Sequence, residues 1–141
     1  MIKAFFDSNV FIDAFSSRDK TSSSVAIISK VITGEIKGFI ASKQITDIYY
    51  VLKKYGLDEQ KRKEILKVIT NNFKVIPTLG SDIIYCLNHQ NLKDFEDDLL
   101  DEICKVNCIQ YFITSNLKDF ENSKNMVIDP QNFLTIFNSS I

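Results

Sequence analysis

The sequence has little of what disulfide-stapled, membrane-spanning or histidine-dependent proteins need. Its 141 residues include one His, three Cys and no Trp. An odd number of cysteines without a signal-like N-terminus argues against a disulfide framework, and His89 alone excludes any mechanism that needs two histidines in one chain. The apolar runs are far shorter than the roughly 20 residues of a membrane span. We therefore expect a cytoplasmic protein without a membrane segment.

Two of the cysteines raise the alternative of a zinc site. Cys104 and Cys108 are four residues apart, so a helix would place both on one face, with His89 as a further ligand. Both lie within the apolar pattern LLDEICKVNCI, however, and free cysteine packs as a small hydrophobic residue. The chain also lacks the paired-cysteine and histidine spacing of zinc sites. Core packing is therefore the favoured interpretation.

The net charge of −1 conceals an uneven distribution of charged residues. Residues 1–72 carry 12 Lys or Arg against 8 Asp or Glu, whereas residues 73–141 carry 5 against 10. The basic excess includes a run of three residues, Lys61, Arg62 and Lys63. Such a cluster is either a solvated helix face or a surface that attracts phosphate groups. Charge alone does not decide between them.

Length and composition predict one domain over residues 1–141, with 45% hydrophobic residues available for a core. Near-continuous apolar runs are typical of buried parallel strands, and we predict strands at 2–6, 38–42, 73–77, 109–114 and 126–128. Helical patterns lie between and after these runs, at 8–15, 22–35, 44–56, 58–72, 81–89, 95–107 and 129–137. This alternation predicts a three-layer α/β/α fold with a mostly parallel central sheet of about five strands.

Acidic residues recur at one edge of the predicted sheet. Ligands of parallel α/β sheets gather outside the carboxyl ends of the strands, and Asp7 directly follows the first strand. Asp47 lies on the helix after the second strand, Asp97 begins a later helix, and Asp119 follows the fourth strand. Asp97 has an alternative role at a helix dipole and Asp119 one in a turn. Asp7 is harder to explain by structure alone.

The hexapeptide NLKDFE occurs twice, at 91–96 and at 116–121. The residues that flank the two copies do not align in either direction, so the copies are not an internal repeat. Each copy places acids beside a Phe, Phe95 or Phe120, which we expect to pack inward. One copy lies at a helix start and the other follows a strand, and we expect the two copies to meet in space.

Four segments, FFDSNVFIDAF, ITDIYYVLKK, LKDFEDDLLDEI and YFITSNLKDF, follow one another along essentially the whole chain. Together they resemble the PIN-domain ribonucleases, in particular small bacterial toxins of the VapC type. The resemblance implies a PIN-like fold and a metal-dependent endoribonuclease, in which carboxylates hold Mg²⁺ or Mn²⁺ and activate a water that attacks RNA. It also implies three partners: an RNA substrate, a small antitoxin protein and a second copy of the chain in a homodimer.

The resemblance further implies which carboxylates carry the chemistry. Asp7 matches the first acid of the family, and Asp97 matches the acid of the DFED segment. Asp47 stands where the family more often has Glu, which is one methylene longer. Asn116 is neutral where many relatives have Asp, so Asp119 is expected to compensate as a fourth carboxylate. The expected metal ligands are Asp7, Asp97 and Asp47, and Asp119 completes the expected catalytic set.

Other positions are expected to contact the substrate or to support these acids. Each lies beside one of the acids, in the TSN segment after the fourth strand, or in the basic run. They are Ser8, Asn9, Asp94, Thr114, Asn116, Lys61, Arg62 and Lys63.

Three functions from other classes stay open at this point. A haloacid-dehalogenase-like phosphatase also has an Asp after its first strand, but it needs a second Asp where this chain has Asn9. A receiver-like signalling domain needs a phospho-accepting Asp after a middle strand, and FKVIPTLGS offers none. A non-catalytic or degenerate PIN-like interaction module would use its acids only to cap helices. Metal-dependent RNA cleavage would separate the nuclease from these alternatives.

Overall fold

The computed structural model of the protein describes residues 1–16 and 21–139. It contains a five-stranded sheet in which every neighbouring pair is parallel, in the order β3-β2-β1-β4-β5. The strands are β1 Lys3–Phe6, β2 Lys37–Ala41, β3 Lys74–Ile76, β4 Tyr111–Ile113 and β5 Met126–Ile128. The predicted parallel sheet of an α/β/α fold is confirmed, with strand ends shifted by one or two residues.

Helices connect the strands in the predicted order. They are α1 Ser8–Phe15, α2 Thr21–Ile32, α3 Ser42–Lys54, α4 Glu59–Asn72, α5 Gly80–Asn88, α6 Phe95–Val106 and α7 Pro130–Ser139. A short 3-10 helix over Leu117–Phe120 was not predicted. The second helix ends earlier than predicted because Gly34 has a φ of 81°, which turns the chain out of the helix. None of the described helices is long and apolar enough to cross a membrane.

Buried side chains form two clusters, one on each face of the sheet. Along β1, Ala4 and Phe6 belong to one cluster and Phe5 to the other, as the two-residue period of a strand requires. The first cluster includes residues of α1, α2, α3, α4 and α7, and the second includes residues of α5 and α6. The sheet is therefore covered by helices on both faces.

The direction of winding reverses between β1 and β4. The chain runs from β1 outward through β2 and β3, and then returns to place β4 on the opposite side of β1. Phe6 pairs with Ile113 at the carboxyl ends of these two strands. The next residues, Asp7 and Thr114, therefore emerge side by side. In open α/β sheets this reversal point is where ligands bind.

Candidate active site

Asp7 is the buried centre of the sheet edge, with 8% of its surface exposed. It caps the N-terminus of α1, and its carboxylate accepts hydrogen bonds from the backbone N–H of Ser8 at 2.8 Å, from Asn9 Nδ2 at 3.1 Å and from Thr114 Oγ1 at 2.8 Å. Burial raises the pKa of Asp7, and the three hydrogen bonds offset only part of that effect. The fold therefore fixes the orientation of this carboxyl group.

Asn9 and Thr114 join the end of β1 to the end of β4. Thr114 is fully buried, and its Oγ1 accepts from Asn9 Nδ2 at 3.2 Å and from the backbone N–H of Asn116 at 3.0 Å. Asn9 Oδ1 accepts from the backbone N–H of Ser115 at 3.1 Å. The polar residues predicted beside Asp7 thus hold it in place and shape the turn that carries Asn116.

Gln44, on α3, forms hydrogen bonds at the same edge of the sheet as Asp7. This role was not predicted from the sequence. Its fully buried side chain donates from Nε2 to Phe6 O at 2.9 Å and to Ser8 Oγ at 3.1 Å, and its Oε1 accepts from the backbone N–H of Ala41 at 2.8 Å. Gln44 therefore ties the start of α3 to the end of β1. The sequence carried only half of a capping signal, because Gln44 is the third residue of α3 but Ala41, at the N-cap, has no side-chain acceptor.

Asp97 lies in the first turn of α6, among other acidic residues. Partial burial, followed by the negative charges of Asp7, Asp94, Asp119 and Glu96, raises the pKa of Asp97 to about 7. The charges of these four acids therefore converge on Asp97, and the charge of Glu96 also acts on Asp7. Glu96 was not predicted, although it belongs to the same acidic run as Asp97.

Asp47, another predicted acid, forms an ion pair with a lysine of its own helix. Its Oδ2 lies 3.0 Å from Nζ of Lys43, one turn earlier on α3, and the same ammonium lies 3.1 Å from Oε1 of Glu96. Lys43 thus bridges a carboxylate of α3 and a carboxylate of α6. The bridge was not predicted, although a Lys and an Asp four residues apart on a helix are neighbours.

Two other acids of α6 hold loops instead of facing the sheet edge. Asp98 is buried and accepts a hydrogen bond from the backbone N–H of Asn91 at 3.1 Å. Asp101 is buried and accepts from Ser123 Oγ and from Asn125 Nδ2. These contacts attach two segments to α6: the start of the first NLKDFE copy and the loop after the second copy.

The two NLKDFE copies meet, as predicted. Asn91 Nδ2, in the first copy, donates to the backbone carbonyl of Asn122, the residue directly after the second copy, at 2.6 Å. A cavity of about 240 Å³ lies between the copies, beside the acids of the sheet edge. Its walls are Leu92, Lys93, Asp94 and Asp97 from one side and Lys118, Asp119, Glu121 and Asn122 from the other.

A family model described as the PIN domain matches residues 3–118. The chain belongs to the PIN domain family. The matched residues include Asp7, Asp97 and Asn116 but end one residue before Asp119. Because the chain belongs to this family, the phosphatase-like and receiver-like alternatives are set aside. A search of curated proteins gave no match.

Several solved structures share the fold of this PIN domain. A toxin–antitoxin complex from Klebsiella pneumoniae has a TM-score of 0.66 and 23% identity, covering 90% of this chain and 97% of that chain. VapBC2 from Rickettsia felis, bound to a DNA fragment from their promoter, has a TM-score of 0.66 and 13% identity, with coverages of 92% and 98%. FitAcB from Neisseria gonorrhoeae has a TM-score of 0.61 and 13% identity, with coverages of 91% and 98%.

The PIN domain's sheet edge offers the donors that a hard divalent cation prefers. Asp7, Asp97, Glu96 and Asp119 supply only oxygen atoms, which suit Mg²⁺ and Mn²⁺. A cation would also relieve the repulsion among these carboxylates. Within residues 1–16 and 21–139, no three acidic, thiol or imidazole side chains enclose a metal position in this conformation. Glu96, with 63% of its side chain exposed, and Asp119 lie at the surface of the protein.

The basic run on α4 of the PIN domain is divided between surface and core. Arg62 is 7% exposed, donates from Nη1 to Tyr49 O at 3.2 Å, and places its guanidinium carbon 4.2 Å from the centre of the Tyr49 ring. Arg62 therefore holds α4 against α3. Its expected role as an RNA contact is corrected to a role in packing. Lys61 and Lys63 are exposed, and Lys63 Nζ pairs with Glu59 at 3.0 Å.

The packing interpretation is correct for Cys104 and wrong for Cys108. Cys86 and Cys104 are buried in the cluster under α5 and α6, whereas Cys108 is exposed at the turn after α6. Burial raises the pKa of the Cys104 thiol.

Proposed function

We propose that this PIN domain is a metal-dependent endoribonuclease. The observation that carries the proposal is the buried, hydrogen-bonded Asp7 at the point where the winding of the sheet reverses, together with the charges of Asp7, Glu96 and Asp119 that act on Asp97. Membership of the PIN domain family, a family of nucleases, supports the same chemistry. The oxygen donors of the edge suit Mg²⁺ or Mn²⁺ as the cofactor.

The residues of the sheet edge have different proposed roles. Asp7 and Asp97 are the proposed ligands of the cation, with Asp119 as a further carboxylate. When bound, a divalent cation supplies Lewis-acid activation of a phosphoryl group and of a water. Thr114 keeps Asp7 aimed at the edge, and Asn116 offers a neutral amide that positions a phosphate oxygen.

We propose single-stranded RNA as the substrate, with one nucleotide seated in the cavity between the NLKDFE copies. The cavity opens beside Asp97 and Asp119, so a nucleotide held there would lie next to the reacting phosphodiester. Lys93 and Lys118 line its two sides and provide ammonium groups for the phosphates on either side of that nucleotide. The exposed Lys61 on α4 is a proposed outer contact.

We also propose a small antitoxin protein as the partner that restrains this activity. The support is the shared fold with proteins found in toxin–antitoxin assemblies. The homodimer stays a prediction, and sedimentation of the purified chain would test it. Ile84 and Leu87 on α5, which are 61% and 64% exposed, are apolar side chains that such a contact would cover.

A non-catalytic PIN-like module is the second candidate function. Two observations favour it: Asn116 is neutral at its position, and Asp47 is held by Lys43. Such a module would bind RNA or a protein partner without cleaving either.

The test is incubation of the purified chain with a long single-stranded RNA in Mg²⁺, Mn²⁺ or EDTA. We expect internal cleavage with either metal, none in EDTA, and none for Asp7→Asn. Binding of RNA without cleavage would favour the non-catalytic module. Hydrolysis of p-nitrophenyl phosphate without RNA cleavage would contradict the nuclease outright.

A further inference from the structure

Lys43 is a cation placed among the carboxylates of the candidate site. Its Nζ lies 3.0 Å from Asp47 Oδ2 and 3.1 Å from Glu96 Oε1. Only 23% of its side chain is exposed, whereas the similar pair of Lys63 and Glu59 on α4 has exposures of 61% and 64%. Solvent and salt screen a partly buried charge less, so the ammonium of Lys43 is screened less than that of Lys63, whereas its partners Asp47 and Glu96 are 45% and 63% exposed.

The bridge formed by Lys43 belongs to the same charge cluster as Asp7 and Asp97. Glu96, one of its two partners, exerts its negative charge on both of those carboxyl groups. The other partner, Asp47, occupies the position on α3 where the sequence resemblance predicted a metal ligand. Lys43 therefore pairs with Glu96, whose charge acts on Asp7 and Asp97, and with Asp47 on α3.

Nucleases that use two metal ions hold them about 3.5–4 Å apart with bridging carboxylates. A second ion at this edge would need ligands beyond Asp7 and Asp97, and Asp47 on α3 and Glu96 on α6 are two carboxylates that one cation, the ammonium of Lys43, already joins. Both already contact an ammonium that provides one positive charge. A second ion would have to displace that ammonium and separate two ion pairs.

We propose that Lys43 stands in for a second metal ion, so that this PIN domain binds one divalent cation, at Asp7 and Asp97. The inference rests on the metal-dependent function proposed above and adds the number of ions and the residue that sets it. Lys43 acts by occupying Asp47 and Glu96 and by supplying the positive charge that a second ion would bring.

Calorimetric titration of the full chain with MnCl₂, without RNA, tests this inference. We expect one equivalent of Mn²⁺ for the wild type and two for Lys43→Met, because the substitution releases Asp47 and Glu96. Lys63→Met is the matched control, since it removes a Lys–Glu pair of the same length from α4. That control should bind one equivalent.

A second variant identifies the ligands of the additional ion. Lys43→Met combined with Asp47→Asn should return to one equivalent. Lys43→Gln replaces Lys43→Met if circular dichroism shows that the Met variant does not fold.

The possible outcomes separate this inference from the proposed function. Two equivalents in the wild type, or one equivalent in a folded Lys43→Met or Lys43→Gln, would overturn the role of Lys43 and leave the nuclease proposal standing. No Mn²⁺ binding by the wild type would overturn both.

Discussion

The hydroxyl of Thr114 lies 2.8 Å from the carboxylate of Asp7, although the two residues are 107 positions apart in the chain. The contact exists because β1 and β4 are parallel neighbours whose carboxyl ends coincide. It joins the first strand, which carries the central acid, to the fourth, which carries the TSN turn. The geometry of the candidate site thus depends on the pairing of these two strands.

Thr114→Val should destabilise the fold by about 1–3 kcal/mol, the cost of leaving buried polar groups unpaired. The substitution keeps the shape of the side chain but removes the donor to Asp7 and the acceptor for Asn9 and for the backbone N–H of Asn116. Urea unfolding measures the change, and Thr114→Ser, which keeps the hydroxyl, should lose less. A larger loss for Ser than for Val would show that packing of the methyl group matters more than the hydrogen bonds.

The stability of the metal-free protein should fall as the pH rises from about 4 to about 7. The folded-state pKa of Asp97 is raised from its ordinary 3.8 to about 7, so between these values the folded state binds more protons than the unfolded state. Stability therefore declines with pH over this window. Asp97→Asn should flatten the decline in urea titrations made in EDTA. A decline of the same steepness in Asp97→Asn would show that Asp97 is not its source.

Replacing Lys93 and Lys118 together with Ala should weaken RNA binding and reduce its dependence on salt. Each lost phosphate contact lowers the slope of log affinity against log salt by about 0.7 for single strands, so the pair should lower it by about 1.4. Fluorescence anisotropy with a labelled oligoribonucleotide measures this in the Asp7→Asn background, where cleavage is absent. The control replaces Lys74 and Lys105, both exposed and outside the cavity lining. An unchanged slope in the Lys93 and Lys118 variant would remove the cavity from the RNA path.

Asp119→Asn should lose much of its cleavage rate while keeping its melting temperature. Asp119 is exposed and its charge acts on Asp97, so the substitution removes a carboxylate from the site without opening the core. Asn116→Ala should lose less, because a neutral amide offsets no metal charge. Rates in Mn²⁺, measured beside thermal melts, compare the two. A lower melting temperature with full activity in Asp119→Asn would assign Asp119 to structure.

Much of the fold was predictable because the alternation of apolar runs and helical patterns is local information. Asp7 was predictable for the same reason, since a carboxylate directly after a buried strand occupies a known kind of position. The first NLKDFE copy shows the limit of such reasoning. Phe95 was expected to pack inward but is 36% exposed at the first position of α6, whereas Phe120 is buried against Phe112.

The remainder of the site depends on contacts between distant segments. The basic run looked uniform in the sequence, yet Arg62 is turned inward by Tyr49, and that placement depends on how α3 packs on α4. The link between Lys43 and Glu96 joins residues 53 positions apart, and no local pattern indicates it. Longer-range arrangements of this kind follow from the fold and cannot be obtained from spacing alone.

The cleavage rate of Asp97→Asn tests the central claim most directly. The claim is that Asp7 and Asp97 bind a divalent cation and that the protein uses this cation to cleave RNA. Single-turnover cleavage of a labelled RNA in Mn²⁺ should be slower by at least about 100-fold in Asp97→Asn, the scale of loss when an electrostatic contact to the transition state is removed. Glu64→Gln, an exposed acid on α4, is the control and should match the wild type. Cleavage by folded Asp97→Asn at the wild-type rate would contradict the account.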